Sequence, residues 1–425
     1  MQKNEGRKSI RYITERTGSM ASFAGHGTTA PASSHTYLNF ESDQNPFGGR
    51  QFLNVGTNEH VYLPILTVDL VLFPNAILPL LTRGEAEKQI IEEIIGTKPL
   101  DLLRPGRFER DLSLEHRKGF FGVCLRTGSG VAKVGTLAEI YRHGRFEQID
   151  LVDDDDEVQG GSDGTVDVNI VAKGRKRFEI VKLSGVLTSR MMVAIIRLLP
   201  DGENTKLPKE HPHSAVPRFV WKMHDCSDLL QKIIVNMCKN GLQTLAEKMP
   251  HGTPCTKSFW LAVNLPLSVP LKYEMLTLKS TFHRLNFVHK YLESMSIETF
   301  ACKYCRSPFC RPSDVFSMSD EGVTAAYVNP QGYVHQIMTL KTVNMDAIST
   351  SGEAVTEHSW FPGFAWTIIN CIVCGNHFGW MFTAVDDSCH PSKFFGIRKD
   401  AVIVWNNLPV VDRAMPVLAA PVPTG

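Results

Sequence analysis

The sequence predicts an α+β protein of several domains, in which a β-rich part is followed by a helical part and then by a second part of antiparallel strands. Its 425 residues are enough for two or three domains. Short apolar runs typical of strands extend to about residue 200, and apolar residues at helical spacing follow. Between residues 302 and 389 strand signals return, together with six of the ten cysteines and three of the six tryptophans.

Net charge and hydropathy argue against several classes of protein. With 45 basic and 44 acidic residues, the chain has no overall field that attracts nucleic acid or an anionic membrane. Its longest apolar stretch, 61–81, contains Asp69 and three prolines, which are costly in a membrane span. The first twenty residues have no apolar segment typical of a secretory signal. We therefore expect the protein to be in the cytoplasm and nucleus. Arginines spaced by four and five residues near the start make a mitochondrial presequence the alternative, but Glu5 and Glu15 disfavour it.

The first two predicted regions are a tail and a β-rich domain. Residues 1–55 lack sustained periodicity and predict a disordered tail, in which residues 34–38 are a candidate ordered anchor. The β-rich domain is predicted over 56–204, with one helix at 84–95. Its predicted strands are 61–66, 70–73, 120–125, 137–141, 166–171, 178–183 and 192–198. The acidic run 153–157 predicts a solvated loop, or alternatively a calcium site without the spacing and glycine of an EF-hand.

A helical part is predicted over 205–298, after a proline-containing linker at its start. Two apolar stripes predict one helix each. The first stripe consists of Leu230, Ile233, Ile234, Met237 and Leu245. The second consists of Leu271, Met275, Leu278, Phe282, Leu285 and Leu292. Such stripes are most simply packing faces between helices, and a partner-binding groove is the alternative. The strand-rich part is predicted over 299–405, and the proline-rich residues 406–425 predict a disordered tail.

Two C-x-x-C pairs bound the strand-rich part. The first is Cys302 with Cys305, and the second is Cys371 with Cys374. A C-x-x-C turn puts two thiolates on one side of a tight knuckle, and two knuckles supply the tetrahedral sulfur set that Zn²⁺ prefers. All four positions are cysteine, which leaves no open position for catalytic water and favours a structural zinc ion. A redox pair or buried core cysteines are the alternatives.

The tryptophans lie around the second knuckle. If this knuckle turns an antiparallel hairpin centred between its cysteines, Trp366 and Trp380 lie nearly opposite each other, and Phe382 shares the face of Trp380. Trp360 precedes the hairpin in a polar loop, where Pro362 and Gly363 mark a turn that folds it back over the other rings. The pattern predicts an aromatic box for a flat ring or a cation. The core of a small sheet is the alternative.

Another polar turn lies earlier in the same part of the chain. Asn329, Pro330, Gln331 and Gly332 stand between the apolar pairs 327–328 and 333–334. The pattern predicts the tip of a hairpin. Asn329 is then either a plain turn residue or a residue that reaches a ligand.

These strings resemble a known family. Residues 325–335 (AAYVNPQGYVH), 356–366 (TEHSWFPGFAW) and 371–384 (CIVCGNHFGWMFTA) are similar to the thalidomide-binding domain of the cereblon family. Upstream, residues 61–82, 135–141, 174–181 and 261–278 resemble the Lon-protease N-terminal domain that precedes it in that family, and residues 34–38 resemble its N-terminal segment. The resemblance extends in order over about 60–400. It implies a Lon N-terminal-like fold followed by a β-tent-like zinc domain.

The resemblance also implies a function. The family is a non-catalytic substrate receptor of a cullin–RING E3 ubiquitin ligase, whose middle helical part docks on the damaged-DNA-binding adaptor subunit. Its zinc domain takes thalidomide-like glutarimides, or cyclised C-terminal Asn or Gln of substrate proteins. Carried to this sequence, the resemblance implies one zinc ion and two groups of site residues. They are the zinc ligands Cys302, Cys305, Cys371 and Cys374, and the ligand-binding residues Trp360, Trp366, Trp380, Phe382, His358, Ser359, Asn329 and Pro330.

Departures from the family pattern and two competing functions complete the prediction. Gln331 stands where vertebrate members have a histidine, Phe364 stands where tyrosine is common, and the helical region at about 205–260 is shorter.

One alternative function is that of an enzyme like the zinc-containing methionine sulfoxide reductases, with Cys389 as nucleophile in an acidic loop that disfavours a thiolate. The other is a nucleic-acid binder that stacks bases, although residues 356–384 contain no Lys or Arg.

Overall fold

The fold is that of a computed structural model, which describes residues 35–38, 60–96, 118–128, 130–147, 166–200, 225–295 and 298–405. The predicted acidic loop and the linker lie outside these residues, as do both predicted tails apart from residues 35–38. None of the described helices is long and apolar enough to cross a membrane.

Fifteen strands and six helices are named in chain order among the described residues. The strands are β1 His60–Val68, β2 Ile77–Leu81, β3 Phe120–Thr127, β4 Gly130–Glu147, β5 Val166–Val186, β6 Met191–Leu198, β7 Thr299–Cys302, β8 Pro308–Cys310, β9 Thr324–Val328, β10 Val334–Leu340, β11 Ile348–Val355, β12 Phe364–Cys371, β13 His377–Ala384, β14 Lys393–Arg398 and β15 Val402–Trp405. The helices are α1 Glu85–Ile95, α2 Cys226–Lys239, α3 Gln243–Glu247, α4 Pro254–Asn264, α5 Val269–Thr277 and α6 Thr281–Ser294.

The first sheet has the strand order β2-β5-β4-β3-β1-β6, and β6 also pairs with β5, so five of its strands close on themselves. This closure leaves few free strand edges. Two sequence predictions are wrong here. Residues 70–73 are buried but irregular, because Pro74 cannot donate to a ladder and Asn75 turns the chain with φ 69°. The predicted strands 166–171 and 178–183 are one strand, β5, that continues through the basic residues between them.

Gly174 explains why β5 can continue there. Its N–H donates to Ala76 and its C=O accepts from Asn75, so the β1–β2 connection lies directly on the strand. A Cβ at Gly174 would lie only 2.3 Å from the carbonyl oxygen of Phe73. Only glycine permits this close approach of two backbones.

Within residues 225–295, which the structure describes, the helical part contains five helices, where the sequence predicted two. The first stripe is divided between α2 and α3, because the chain leaves α2 at Asn240 and Gly241, which has φ 73°. The second stripe is divided between α5 and α6, where Ser280 begins α6 by accepting a hydrogen bond from the N–H of His283 at 3.1 Å. The sequence reading missed α4, whose start is marked by Thr253 as N-cap and Pro254 as first residue.

The C-terminal part has a six-stranded antiparallel sheet of order β11-β12-β13-β14-β10-β9 and a small sheet of order β15-β7-β8. One face of the larger sheet joins the helices in a common core, to which Met338, Leu340 and Ile397 contribute. The opposite face carries an aromatic cluster that includes Ile337, the neighbour of Met338 on β10. The sheet thus separates the helical core from the aromatic cluster.

Residues 35–38 belong to the segment that the sequence predicts to be an ordered anchor. They lie where the first sheet meets the six-stranded sheet of the C-terminal part. The Tyr37 hydroxyl accepts a hydrogen bond from the N–H of Val328 at 3.1 Å, and Leu38 packs with Leu81, Val171 and Val328. Burial, the largest effect, raises the pKa of the Tyr37 hydroxyl far above its usual range, so the group stays neutral. This segment therefore bridges the two parts of the protein.

Candidate functional site

Two knuckles of the same shape carry the four cysteines. In the first, the chain turns after β7, where Arg306 donates to the C=O of Cys302 at 2.9 Å. In the second, it turns after β12, where Gly375 donates to the C=O of Cys371 at 2.8 Å. Arg306 and Gly375 occupy the same place in each knuckle, and both have left-handed φ values of 62° and 70°. The two turns present their thiols to each other.

The four sulfurs form one cluster. All Sγ atoms of Cys302, Cys305, Cys371 and Cys374 lie within 4.8 Å of one another. The Cys302–Cys374 pair is 3.6 Å apart and the Cys305–Cys371 pair is 3.4 Å apart. A tetrahedral zinc ion with Zn–S near 2.3 Å spaces its sulfurs by about 3.8 Å. The set fits one structural zinc ion.

The electrostatics of the cluster also call for a cation. Burial opposes ionisation of the Cys302 thiol, but hydrogen bonds from the backbone N–H groups of Cys305 and Tyr304 prevail and lower its pKa to about 7. Burial, with the neighbouring thiols, raises the pKa of Cys305 to about 12. All four thiols can therefore ionise together at neutral pH only beside a compensating charge, which a zinc ion supplies when bound. The Asn376 side chain supports the cluster by donating to the Cys302 sulfur at 3.6 Å and to the Ala401 carbonyl at 3.1 Å.

Trp360 and Trp380 form two perpendicular walls. Their ring centroids are 4.6 Å apart with an interplanar angle of 72°. Trp360 is 6% exposed, stacks on Tyr327 at 5.2 Å, and donates its Nε1–H to the C=O of Val328 at 3.0 Å. The loop before β12 thus folds Trp360 back over the sheet, as its Pro-Gly turn predicts.

The predicted register of the other aromatic residues is wrong. Trp366 lies opposite Phe382, and Trp380 lies opposite Ile368, so the two tryptophans are diagonal rather than direct neighbours. The hairpin turns over residues 371–376, where the N–H of Cys371 donates to the C=O of Asn376 at 2.8 Å, and a bulge follows beside residues 369 and 370. The longer turn and the bulge shift the pairing, but both tryptophans still pack against the aromatic cluster.

Phe382 and Trp366 differ in exposure. Phe382 is 1% exposed and stacks on Phe394 at 4.9 Å, so it lies in the core beneath the tryptophans. Trp366 is half-buried and donates its Nε1–H to the C=O of Glu357 at 2.8 Å, which ties β12 to the polar loop.

His358 and Ser359 belong to this polar loop. His358 has a positive φ of 55°, a backbone conformation that non-glycine residues adopt at some cost, and its side chain is 45% exposed. The Ser359 N–H donates to the C=O of Thr356 at 3.3 Å, and its hydroxyl donates to the C=O of Phe361 at 3.1 Å. The loop is therefore held by its own hydrogen bonds next to Trp360.

Asn329 and Pro330 form the tip of the β9–β10 hairpin. The side-chain oxygen of Asn329 accepts from the N–H of Tyr333 at 2.7 Å, and its backbone C=O accepts from Gly332 at 2.8 Å. Arg83 holds this tip from the first domain, because it donates to the C=O of Gly332 at 2.8 Å and lies 4.0 Å from the Tyr333 ring centroid. Asn329 thus has a turn role in this structure, and ligand contact by either residue stays a prediction.

The sequence reading did not single out two histidines at the walls. His335 lies opposite Tyr327 on β10, with ring centroids 6.0 Å from Trp360 and 5.4 Å from Trp380. His377 meets Trp380 edge-on at 4.8 Å. Burial, and then the nearby Arg398, lowers the pKa of His335 to about 4, so its ring is neutral at pH 7. A hairpin turn at residues 329–332 pairs His335 with Tyr327 on the opposite strand. This pairing, which follows from the predicted turn, is the signal by which the sequence could have identified His335.

The outer face of α2 and the side chain of Cys389 relate to two of the functions considered from the sequence, partner binding and catalysis. The outer face of α2 exposes Ile234 and Val235, at 36% and 51%. Cys389, the candidate nucleophile, packs against the aromatic cluster, and its sulfur would lie 2.6 Å from a Cβ at Gly363.

Two family models match consecutive parts of this chain. Residues 62–294 match the ATP-dependent protease La (LON) substrate-binding domain, and residues 298–406 match the family described as Yippee zinc-binding/DNA-binding/Mis18, centromere assembly. Protein cereblon of Danio rerio is 27% identical over 419 residues, which cover 88% of this chain and 87% of that protein. Protein cereblon of Drosophila pseudoobscura pseudoobscura is 36% identical over 182 residues, 43% of this chain and 29% of that protein. A crystal structure of a Lon N-terminal domain protein from Xanthomonas campestris matches 55% of this chain and 99% of its own, with 19% identity and a TM-score of 0.32.

Proposed function

Because the chain belongs to the family of the LON substrate-binding domain and carries a zinc-binding domain after it, as its cereblon homologues do, we propose that it is a substrate receptor of a cullin–RING E3 ubiquitin ligase. The receptor binds cyclic imides between its tryptophans and brings substrate proteins to the ligase for ubiquitination and proteasomal degradation. It acts in the cytoplasm and nucleus.

The observation that carries this proposal is the pair of perpendicular walls beside a polar loop. Trp360 and Trp380 meet at 72°, and the loop with His358 and Ser359 runs next to Trp360. A glutarimide is a small ring with apolar methylenes, one N–H and two C=O groups. Its methylenes gain from burial against indole faces. Its N–H and C=O need partners, or each costs about 1–3 kcal/mol on desolvation. Loop backbone groups at 358–360 are the proposed partners, with Asn329 and Pro330 at the rim.

The neutral ring of His335, which contacts both walls, supports a neutral ligand. The low pKa of His335 keeps that ring uncharged at pH 7, and residues 356–384 contain no Lys or Arg. A cyclic imide is uncharged, whereas a nucleic acid needs cations along its backbone. We therefore propose cyclic-imide binding rather than base stacking, although the matched Yippee family carries DNA binding in its description.

The enzyme alternative receives no support from the position of Cys389. Its side chain packs with the aromatic cluster, and Asp386 and Asp387 precede it in the chain. A catalytic thiolate needs an electropositive, accessible environment. We propose that the protein itself is not catalytic.

For the ligase adaptor we propose docking on the outer face of α2. Ile234 and Val235 are large apolar residues that water contacts in the isolated chain. The double variant Ile234→Asp/Val235→Asp should abolish co-purification with the damaged-DNA-binding adaptor subunit. Gln243→Asp, a charge introduced at an exposed site on α3 instead of this face, should retain it. Equal binding by both variants would remove α2 from the interface.

A reconstituted ubiquitination assay tests the proposed function. The full chain, the adaptor and the ligase core are mixed with a reporter protein whose C-terminal Asn has been cyclised to an imide. The imide reporter should be ubiquitinated and the open-chain Asn reporter should not, and free glutarimide should compete. Equal modification of both reporters, or none with the adaptor bound, would contradict the receptor proposal.

A further inference from the structure

A cavity lies on the face of the larger sheet opposite the tryptophan walls. Its volume is about 190 Å³, and it lies between the α4–α5 connection, the end of α6, and strands β7, β10 and β15. Most of its lining is apolar: Leu267, Leu271, Met295, Phe300, Met338 and Val404. Met338 lines this cavity while its neighbour Ile337 belongs to the aromatic cluster, so the sheet separates the two sites.

A pair of lysines, the buried Lys272 and the half-buried Lys399, adjoins this cavity. Lys399 lines it, and the ammonium of Lys272, a residue only 2% exposed, lies within hydrogen-bond reach of Lys399. Among the described residues, neither lysine has an ion pair with a carboxylate. Holding both lysines charged without an anion is costly, because burial removes them from water and no opposite charge offsets their repulsion. Burial accordingly lowers the pKa of Lys272 to about 8, and burial with the nearby Lys272 lowers the pKa of Lys399 well below its usual value.

The known hydrogen bonds explain part of this arrangement. Lys399 donates to the C=O groups of Val263 and Leu265 at 2.9 and 2.7 Å, at the C-terminal end of α4, where a cation is favourable. Lys272 donates to Gln336 at 2.6 Å. A protonated lysine has three donor hydrogens, so these acceptors leave at least one donor on each lysine when both are protonated. Capping of α4 therefore accounts for Lys399 but not for a second buried lysine beside it.

We propose that this cavity binds a small monocarboxylate with an apolar body, whose carboxylate pairs with Lys399. The carboxylate supplies the anion that lets Lys399 hold its proton beside Lys272, and it accepts the remaining hydrogen of that ammonium. The apolar body fills the space between Leu271, Met338 and Val404. No step of this proposal depends on the tryptophan walls or on the ligase.

The volume limits the size of the ligand. A cavity of about 150 Å³ lined by apolar residues holds one benzene molecule. The 190 Å³ here leaves room for one aromatic ring and a carboxylate, and is below the roughly 300 Å³ at which drug-sized sites begin. The apolar lining disfavours inorganic phosphate, because doubly charged anions lose more hydration than two lysines return.

Calorimetric titration of the full, zinc-loaded chain with phenylacetate tests the proposal. Phenylacetate should bind, and phenylacetamide, which has the same shape without the charge, should bind at least tenfold more weakly. Lys399→Gln should weaken phenylacetate binding at least tenfold, whereas Lys393→Gln, at an exposed position on β14, should leave it within twofold.

A second variant keeps the test decisive if loss of the α4 contacts impairs folding of Lys399→Gln. Val404→Phe fills the cavity from β15 without changing charge and should abolish binding in a chain that melts as the wild type does. No binding to the wild type at 10-millimolar phenylacetate would overturn the proposal. So would equal affinity for phenylacetamide, or unchanged binding in folded Val404→Phe.

Discussion

Removal of the Asn376 side chain should weaken zinc binding without removing a ligand. Asn376 donates to the Cys302 sulfur at 3.6 Å and to the Ala401 carbonyl at 3.1 Å, so it orients one ligand and ties the second knuckle to the residue before β15. Its backbone C=O, which closes the knuckle turn, remains in Asn376→Ala. Loss of a hydrogen bond that orients a metal ligand typically reduces affinity 10- to 100-fold, about 1.4–2.7 kcal/mol. We expect a decrease in this range.

Competition between the protein and a chromogenic zinc chelator measures this affinity. Asn370→Ala is the matched control, because the side chain of Asn370 donates only to the Ser351 hydroxyl at 2.9 Å on the exposed edge of the same hairpin. Its zinc affinity should remain within twofold of the wild type. An unchanged affinity in Asn376→Ala, or equal losses in the two variants, would refute the assigned role of Asn376.

Three further variants test other parts of the structure. Cys371→Ser removes one zinc ligand and should abolish the near-ultraviolet circular dichroism of the C-terminal part, since structural zinc contributes roughly 10–16 kcal/mol in small sites; an unchanged spectrum and melting curve would contradict the zinc staple. Trp360→Phe leaves the buried C=O of Val328 without its 3.0 Å donor, so it should lower the free energy of denaturant unfolding by about 1–3 kcal/mol. Trp366→Phe removes an exposed hydrogen bond and should lower it by less than about 1 kcal/mol. Equal losses would contradict the difference in burial. Because burial lowers the pKa of His335 from 6.5 to about 4, the unfolded state binds more protons between these values, and stability should fall as the pH decreases from 6.5 to 4; His335→Gln should reduce this slope, and an unchanged slope would contradict the assignment.

The sequence predicted features that depend on local chemistry. The two C-x-x-C pairs predicted the four-sulfur cluster because each knuckle needs only a short turn, whatever the 65 residues between the pairs do. The Pro-Gly turn predicted that Trp360 folds back over the sheet. Helix α1 was predicted from the spacing of its isoleucines and ends at Gly96, whose φ is 89°.

Features that depend on longer-range packing were missed. The register of Trp366 and Trp380 required the length of the knuckle turn and the position of a bulge, and neither is visible in residue types. The apolar stripe 271–292 is continuous in the sequence, but the cap at Ser280 divides it into two helices. The Lys272–Lys399 pair joins residues far apart in the chain, so only the tertiary fold brings them together.

The central claim is that the tryptophan walls bind a cyclic imide, and tryptophan fluorescence of the full, zinc-loaded chain titrated with glutarimide tests it most directly. We predict saturable quenching that Trp260→Phe, a change on α4 away from the walls, retains and Trp380→Ala loses. N-methylglutarimide, which lacks the imide N–H, should quench at least tenfold more weakly. The absence of any response from the folded protein, or the same response in Trp380→Ala, would contradict the claim.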